Sequence, residues 1–298
     1  MASIKDDAIN KEDVERFVKE NSDFSFEIEV LRELHKLGYK CKHASTYDDP
    51  LSGKPREYDI RATKSWKISD KYQANVALAV ECKNISANFP ILVHCLPRNK
   101  SEAFVDVILH TKREHEPGPL SLPHLEKNSV RIRLKGESGP YGISDPVGKS
   151  FDQFGKKQGT KNQFYISDAV IFEKLTQSVN SAYDLLVDAH ENWGDEDTTN
   201  LSVVIPVLVV PDERIWAVCY SWEGNVVEGP YIEGRIPYLI EKNWKVGNLG
   251  AEMPVAFNLS HLEIVDKSRL TKFVKEFESI KCLNDESELL QAWLSVMK

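Results

Sequence analysis

The sequence predicts an α/β protein, and three observations carry that expectation. Apolar runs of strand length, at 76–80 and 201–210, alternate with segments whose apolar residues recur near every 3.6 positions. Clusters of Gly, Pro, Asn and Asp separate them as turns. The chain has 298 residues, 41% hydrophobic and 28% charged, so it is an ordinary globular composition with enough length for a sizeable core.

Taken in order, residues 11–21 form a short amphipathic helix with Val14, Phe17 and Val18 on one side. Ser25 suits the N-cap of a second helix reaching Leu37, and Gly38 suits the left-handed position that stops it. Val30, Leu31, Leu34 and Leu37 make the buried stripe of that helix. Glu27 precedes Val30 and Leu31 by three and four positions, which places an acid on the apolar stripe. Either it joins a cation site or it answers the positive helix N-terminus. Glu29 is offset from the stripe and is the weaker choice.

A strand over 39–46, a loop with Asp48, Asp49, Pro50 and Gly53, and two further strands follow. The first of these ends at Asp59 and the second at Glu81-Cys82-Lys83, 22 positions further on from Asp59 to Glu81. Residues 86–166 are basic and rich in Pro and Gly. They read as an inserted subdomain with strand-like pieces at 91–95 and 130–134 and a helix-like piece at 101–110. Ser167-Asp168 caps a long helix to Glu191, with Ala169, Phe172, Leu175, Val179, Ala182, Leu186 and Ala189 near period 3.6. The run at 201–210 is a fully buried strand. Residues 212–298 add an acidic extension: a hairpin around Glu223-Gly224, then helices at 268–278 and 286–296.

A strand alternates its faces, so Glu81 and Lys83 are expected on one face and Cys82 on the other. Two carboxylates and a lysine converging at the end of a hairpin can hold a divalent cation and a water beside a phosphodiester. Glu81-Cys82-Lys83 is the only acid-x-Lys triplet in the chain, although composition alone would yield about four by chance. Asp59 followed by Glu81-x-Lys83 resembles the signature of the PD-(D/E)XK, restriction-endonuclease-like nucleases. The helix opened by Phe26-Glu27 is similar to the first helix of methyl-directed restriction enzymes and archaeal junction resolvases. The match spans roughly residues 24–84, with further support at 168–211, and Tyr58 stands where the signature carries Pro.

The resemblance implies a restriction-endonuclease-like core, a mixed central β-sheet flanked by helices, with the whole chain 1–298 as one nuclease-like domain. It implies a nuclease using Mg²⁺ or Mn²⁺, held by Asp59, Glu81, the Cys82 carbonyl and Glu27. Lys83 would orient the attacking water or stabilise charge on the phosphate. DNA is the expected substrate, with a restriction or phage-defence role, and a homodimer or a partner subunit is plausible. The rival is a catalytically silent nuclease fold serving binding or assembly. A third is an ordinary cross-strand ion pair of Asp59, Glu81 and Lys83 in another fold.

The net charge of −8 is unevenly spread. Residues 1–90 carry −1, 91–167 carry +4 and 168–298 carry −11. Phosphate contacts are therefore expected at Arg131, Arg133 and Lys135, which alternate on one strand face, and at Lys149, Lys156 and Lys157. The chain start has neither a basic n-region nor an apolar h-region, and no run suits a membrane helix. Five scattered cysteines without C-x-x-C spacing read as reduced thiols, hence a cytoplasmic setting. Gly148-Lys149-Ser150 is no phosphate loop, because Ile143 stands where the motif needs Gly. His110 and His115 lack partners for a zinc site.

Overall fold

A computed structural model describes residues 7–49, 52–111, 130–159, 163–191, 198–246 and 255–296. Helices α1 (Lys11–Glu20) and α2 (Asp23–Lys36) lead into strands β1 (Lys40–Asp48), β2 (Pro55–Lys67) and β3 (Tyr72–Cys82). Next come β4 (Ile91–Pro97), β5 (Phe104–Thr111), β6 (Val130–Lys135), β7 (Pro146–Lys156) and β8 (Phe164–Ile166), then the long helix α3 (Ala169–Glu191). Strands β9 (Thr199–Val210), β10 (Ile215–Tyr220), β11 (Val226–Ile232), β12 (Arg235–Val246) and β13 (Val255–Asp266) follow. Helices α4 (Leu270–Glu278) and α5 (Glu286–Val296) close the chain.

The strands build a large mixed sheet in the order β1-β2-β3-β9-β13-β12-β7-β4-β10-β11, with β5 on β6 and β9, and β8 on β7. β1, β2 and β3 form an antiparallel meander, whereas β3 and β9 run parallel from Tyr72–Thr199 to Cys82–Val209. Parallel neighbours need a crossover, and α3 belongs to it. The far edge of β9 is divided. Its first residues, Thr199–Ser202, pair with β5, and its last, Val207–Val210, pair with β13.

β3 is buried on both faces, as a near-continuous apolar run requires. Val76, Leu78, Val80 and Cys82 pack with Val30 and Leu34 of α2 and with Phe273 and Phe277 of α4. Ala77 and Ala79 point the other way, to Ile171, Leu175 and Val179 of α3. Their small side chains let α3 come close enough for the Ser178 hydroxyl to donate to the Ala79 carbonyl at 2.8 Å.

Several boundaries differ from the sequence expectation. α2 is capped by Ser22, whose hydroxyl accepts from the Ser25 N–H, so Ser25 lies inside the first turn. Gly38 takes a φ of +85°, the left-handed stop expected of it. The helix expected over 101–110 is instead β5. The run from Phe104 to Leu109 is rich in aromatic and β-branched residues, and the exposed edge of β9 offers it a ladder.

The segment 86–166 does not stand beside the sheet in its described parts, because β5 pairs with β9, and β4 and β7 pair with β10 and β12. The 212–298 region has the expected hairpin and two helices, with a short turn at Lys267–Arg269 ahead of α4. It also supplies β12 and β13, unforeseen, to the middle of the sheet. Among the described residues the stripe of α1 is left exposed, at Val14, Phe17 and Val18. All five cysteines are free, and no described helix is long and apolar enough to cross a membrane.

Because α3 rests on Ala77 and Ala79, Ala79→Leu should overpack the interface and cost about 1–3 kcal/mol. Urea denaturation checks this, and an unchanged midpoint would mean that α3 is not seated closely on β3.

Candidate active site

The ladder between β2 and β3 runs out at the pair Ile60–Val80. Past that point side chains replace backbone partners. The Cys82 N–H donates to Asp59 Oδ2 at 2.8 Å, and the Asp59 N–H reaches Glu81 Oε1 at 3.5 Å. The two carboxylates thus face one another where the strands separate. A third group closes the set. Lys174, in the second turn of α3, places Nζ 2.7 Å from Asp59 Oδ2 and 2.8 Å from Glu81 Oε2.

Burial decides the electrostatics here. The Glu81 side chain is 1% exposed, against 13% for Asp59 and 19% for Lys174. Desolvation first, and the nearby Asp59 second, push Glu81 up to about 8 despite the opposing pull of Lys174. Burial also works against the Lys174 ammonium, but Glu81 and Asp59 outweigh it and hold its pKa above the ordinary value. Lys174 therefore stays charged, and Glu81 is the member that changes charge near neutral pH.

α3 is held over these strands by more than Lys174. Arg61 lies two residues after Asp59 on the same face of β2. It donates to Ser181 Oγ at 3.0 Å and to Asp184 Oδ2 at 2.6 Å, so one face of β2 fastens two turns of the helix.

The other expected members fall out differently. Glu27 lies in the first turns of α2, with its carboxylate 2.9 Å from His43 Nε2. Burial and then Asp59 raise its pKa, while His43 and Lys174 oppose the rise. It shares the electrostatic neighbourhood of Asp59, but its hydrogen bond goes to β1. Glu29 pairs with Lys267 instead. Cys82 turns its thiol into the α2-side core, where burial first, and then Asp59 and Glu27, push its pKa well up.

Lys83 is not beside the carboxylates. Its Nζ is 2.5 Å from Asp23 Oδ2, and the next N–H, of Asn84, donates to Asp23 Oδ1 at 2.8 Å. β3 ends at Cys82, so the period-two rule that aligned Lys83 with Glu81 stops one residue short of it. The pair Lys83–Asp23 clamps the exit of β3 to the first turn of α2.

Nor do the expected phosphate contacts form one free basic face. Arg133 makes a two-pronged contact with the buried Asp106, at 2.7 and 2.9 Å, and Arg131 lies 3.8 Å from the same carboxylate. Lys149 is spent on Glu102 at 2.6 Å. Lys135, Lys156 and Lys157 are exposed.

Lys174 was missing from the sequence reading, although a signal existed. Stepping by four, three and four, it heads the row Ser178, Ser181, Leu185, all buried, so it extends the inward face of α3. Which acids that face would meet is a tertiary matter.

Among the described residues, no cluster of three or more His, Cys, Asp and Glu is gathered to hold a metal. Asp59 and Glu81 alone are two hard oxygen donors of the type that Mg²⁺ takes. The donor chemistry fits, with the Lys174 ammonium against both carboxyl groups. Comparison with protein-family models, with curated proteins and with solved structures found no match.

Removing Lys174 leaves two acids facing each other. Lys174→Met should cost about 2 kcal/mol, less than the ~3–5 kcal/mol of a fully buried pair because Lys174 keeps some solvent contact. Lys83→Met should cost under about 1 kcal/mol, since its pair is half-exposed. Equal losses in urea denaturation would contradict this ranking.

The raised pKa of Glu81 gives a pH test. An unfolded carboxyl ionises near 4.5 and the folded one near 8. The unfolded chain thus binds fewer protons between those values, and stability falls as pH rises through that window. Glu81→Gln should remove the fall, so its stability relative to wild type should climb by on the order of 1 kcal/mol per pH unit. Parallel stability curves for the two proteins from pH 5 to about 8 would show that Glu81 is ionised throughout.

Proposed function

We propose that this chain is a divalent-metal-dependent nuclease that hydrolyses phosphodiester bonds. The observation that carries this reading is the set of Asp59, Glu81 and Lys174 gathered where the β2–β3 ladder stops. A helix and meander, α2-β1-β2-β3, followed after the intervening β4–β8 by α3 and a β9 parallel to β3, support a restriction-endonuclease-like core, which such proteins complete with a crossover helix and a further strand. By analogy with that fold class, the substrate is DNA and the setting is a cytoplasmic restriction or phage-defence system.

Asp59 and Glu81 would hold Mg²⁺ or Mn²⁺, which when bound supplies a Lewis acid and a more acidic water. In the reaction the water oxygen bonds to phosphorus and the bond to the 3′ oxygen breaks. A 5′-phosphate and a 3′-hydroxyl result, with one water proton ending on the 3′ oxygen. Lys174, held as an ammonium, acts as a fixed positive charge for the phosphoryl oxygens and not as a base. Lys83 and Asp23 keep the end of β3 in place. In this reading Lys174 takes the part first expected of Lys83. Glu27, hydrogen-bonded to His43, tunes the potential at Asp59.

One observation favours a second reading, a catalytically silent or partner-dependent subunit used for binding or assembly. The ammonium of Lys174 already satisfies both carboxylates, and Glu27, the third acid, is engaged by His43. In that case the acidic region 168–298 would dock on a basic partner.

Supercoiled plasmid, linear duplex, single-stranded DNA and RNA should be incubated with Mg²⁺ or Mn²⁺. Cutting is expected to depend on metal and to drop at least about 100-fold in Glu81→Ala and Lys174→Ala. Lys83→Ala should lose far less. Cutting that survives in Glu81→Ala and Lys174→Ala would refute the assignment. Silence on all four substrates by a folded protein would favour the second reading.

A further inference from the structure

An open cavity of about 640 Å³ lies between the segment after β3, the β7–β8 hairpin and the β10–β11 hairpin. We propose that it binds a small aromatic anion, a flat ring system carrying one phosphate or carboxylate group. This site is separate from Asp59 and Glu81 and does not rest on the nuclease reading.

Strand alternation fixes where the cavity lies. Ile91, Val93, Phe151, Ile215 and Ala217 belong to the core cluster on the α3 side, with Ala77 and Ala79. Leu92, Phe154 and Trp216 alternate with them, so they project from the other face, away from α3 and Glu81. The ladder sets Trp216 beside Leu92, and Leu92 beside Asp152. β8 doubles back along β7 and brings Phe164 edge-on to Phe154, with centroids 5.8 Å apart and planes at 71°. Pro90 and Pro230 add further apolar surface to the lining.

Size, rings and charge together define the ligand. The volume falls within the range of about 300–1,000 Å³ that small-molecule clefts occupy. Phe164 is 58% exposed, so an occupant that covers it takes a whole ring out of water, and a flat ring stacks best on such a wall. Among the described residues, the one charged group of the lining is Lys156, and no carboxylate pairs with its ammonium. By contrast, acids hold the ammonium of Lys149 at 2.6 Å and that of Lys174 at 2.7 and 2.8 Å. Asp152, the acid in the same row as Leu92 and Trp216, is engaged by His94 Nε2 at 2.9 Å. The cavity therefore offers a positive charge beside rings, in a chain that carries −8. The Asn88 amide adds a donor and an acceptor for a polar edge of the ligand.

The cavity is held open by the backbone around it. The Phe154 N–H donates to the Pro90 carbonyl at 3.3 Å, and the Gln153 amide donates to the Phe89 carbonyl at 2.8 Å. Gly155 permits this contact, because a Cβ there would lie 2.6 Å from the Asn88 oxygen. The Ser167 N–H donates to the Gln153 carbonyl at 2.9 Å and ties the end of β8 to β7. A site whose walls are already in place binds without first ordering them.

The test is a titration of the full chain with anilinonaphthalene sulfonate, an aromatic anion that fluoresces when it leaves water. Phe164→Ala and Trp216→Leu should weaken its binding at least about 5-fold, and Trp216→Phe, which keeps a ring, should stay close to wild type. Lys156→Gln should weaken it about 2- to 5-fold, the worth of one exposed ion pair. The uncharged phenylnaphthylamine should bind wild type and Lys156→Gln alike. Phe17→Ser, in the exposed stripe of α1, should change nothing. Phe164 and Lys156 are exposed, so their replacement leaves the core intact. Adenosine monophosphate and salicylate then compete with the dye. Displacement by the first assigns phosphate-bearing ligands, and displacement by salicylate alone assigns carboxylates. Displacement by neither overturns the proposal, as does dye binding that ignores Phe164→Ala and Trp216→Leu. Equal dye affinity in wild type and Lys156→Gln overturns the preference for an anion. Loss of the dye in Phe17→Ser would place it on α1 and refute the cavity assignment.

Discussion

The parallel pairing of β3 with β9 constrains almost everything else in this molecule. Two parallel neighbours cannot be joined by a tight turn, so the chain must leave the sheet and return. It returns through α3, whose buried row faces Ala77 and Ala79. Small residues at those two positions set how near the helix can lie, and the nearness brings an ammonium from the second turn of α3 onto two acids of the β2–β3 hairpin. Since β9 is also flanked by β5 and β13, the same pairing connects the early meander to the C-terminal half of the sheet.

A second buried ionic network shows by contrast what is unusual about that site. Glu263 accepts from the Tyr141 hydroxyl at 2.8 Å and from Arg235 at 2.8 and 3.1 Å, and Arg235 reaches on to Glu276 of α4. One buried acid there meets a guanidinium and a neutral hydroxyl, so every contact is attractive. The set anchors α4 to β12 and β13. At Glu81 the buried acid faces a second carboxylate, Asp59, as well as the Lys174 ammonium. Burial first, and Asp59 second, raise the pKa of Glu81 against the pull of Lys174. Strongly perturbed acids of this kind are concentrated where binding and catalysis occur.

Basic residues illustrate how packing consumes what composition advertises. The +4 of residues 91–167 suggested a phosphate-binding face. Arg131 and Arg133 turn instead to Asp106, whose side chain is fully buried and could not be left unpaired. Lys149 likewise serves Glu102. Lys135, Lys156 and Lys157 remain exposed.

Much of the local structure was legible in the residues alone. Periodicity placed α2, the meander and α3, the long apolar run marked β9, and Asp59 and Glu81 do meet, although Asp59 lies inside β2, which runs on to Lys67, and not at the strand end expected of it. These are consequences of spacing within one element, which 3.6- and 2-residue repeats report faithfully. Other features needed the assembled fold. The run at 101–110 became a strand only because an edge of β9 was open to it, and β12 and β13 lack the continuous apolar signature of a buried strand. The identity of the lysine was also out of reach of pattern. Lys83 follows the last residue of β3, so alternation no longer governs its direction, while Lys174 comes from 93 positions beyond Glu81. Side-chain periodicity carries information along a strand or a helix and loses it at the end. Which charges finally meet is decided by how separate elements pack, and that is a property of the tertiary structure.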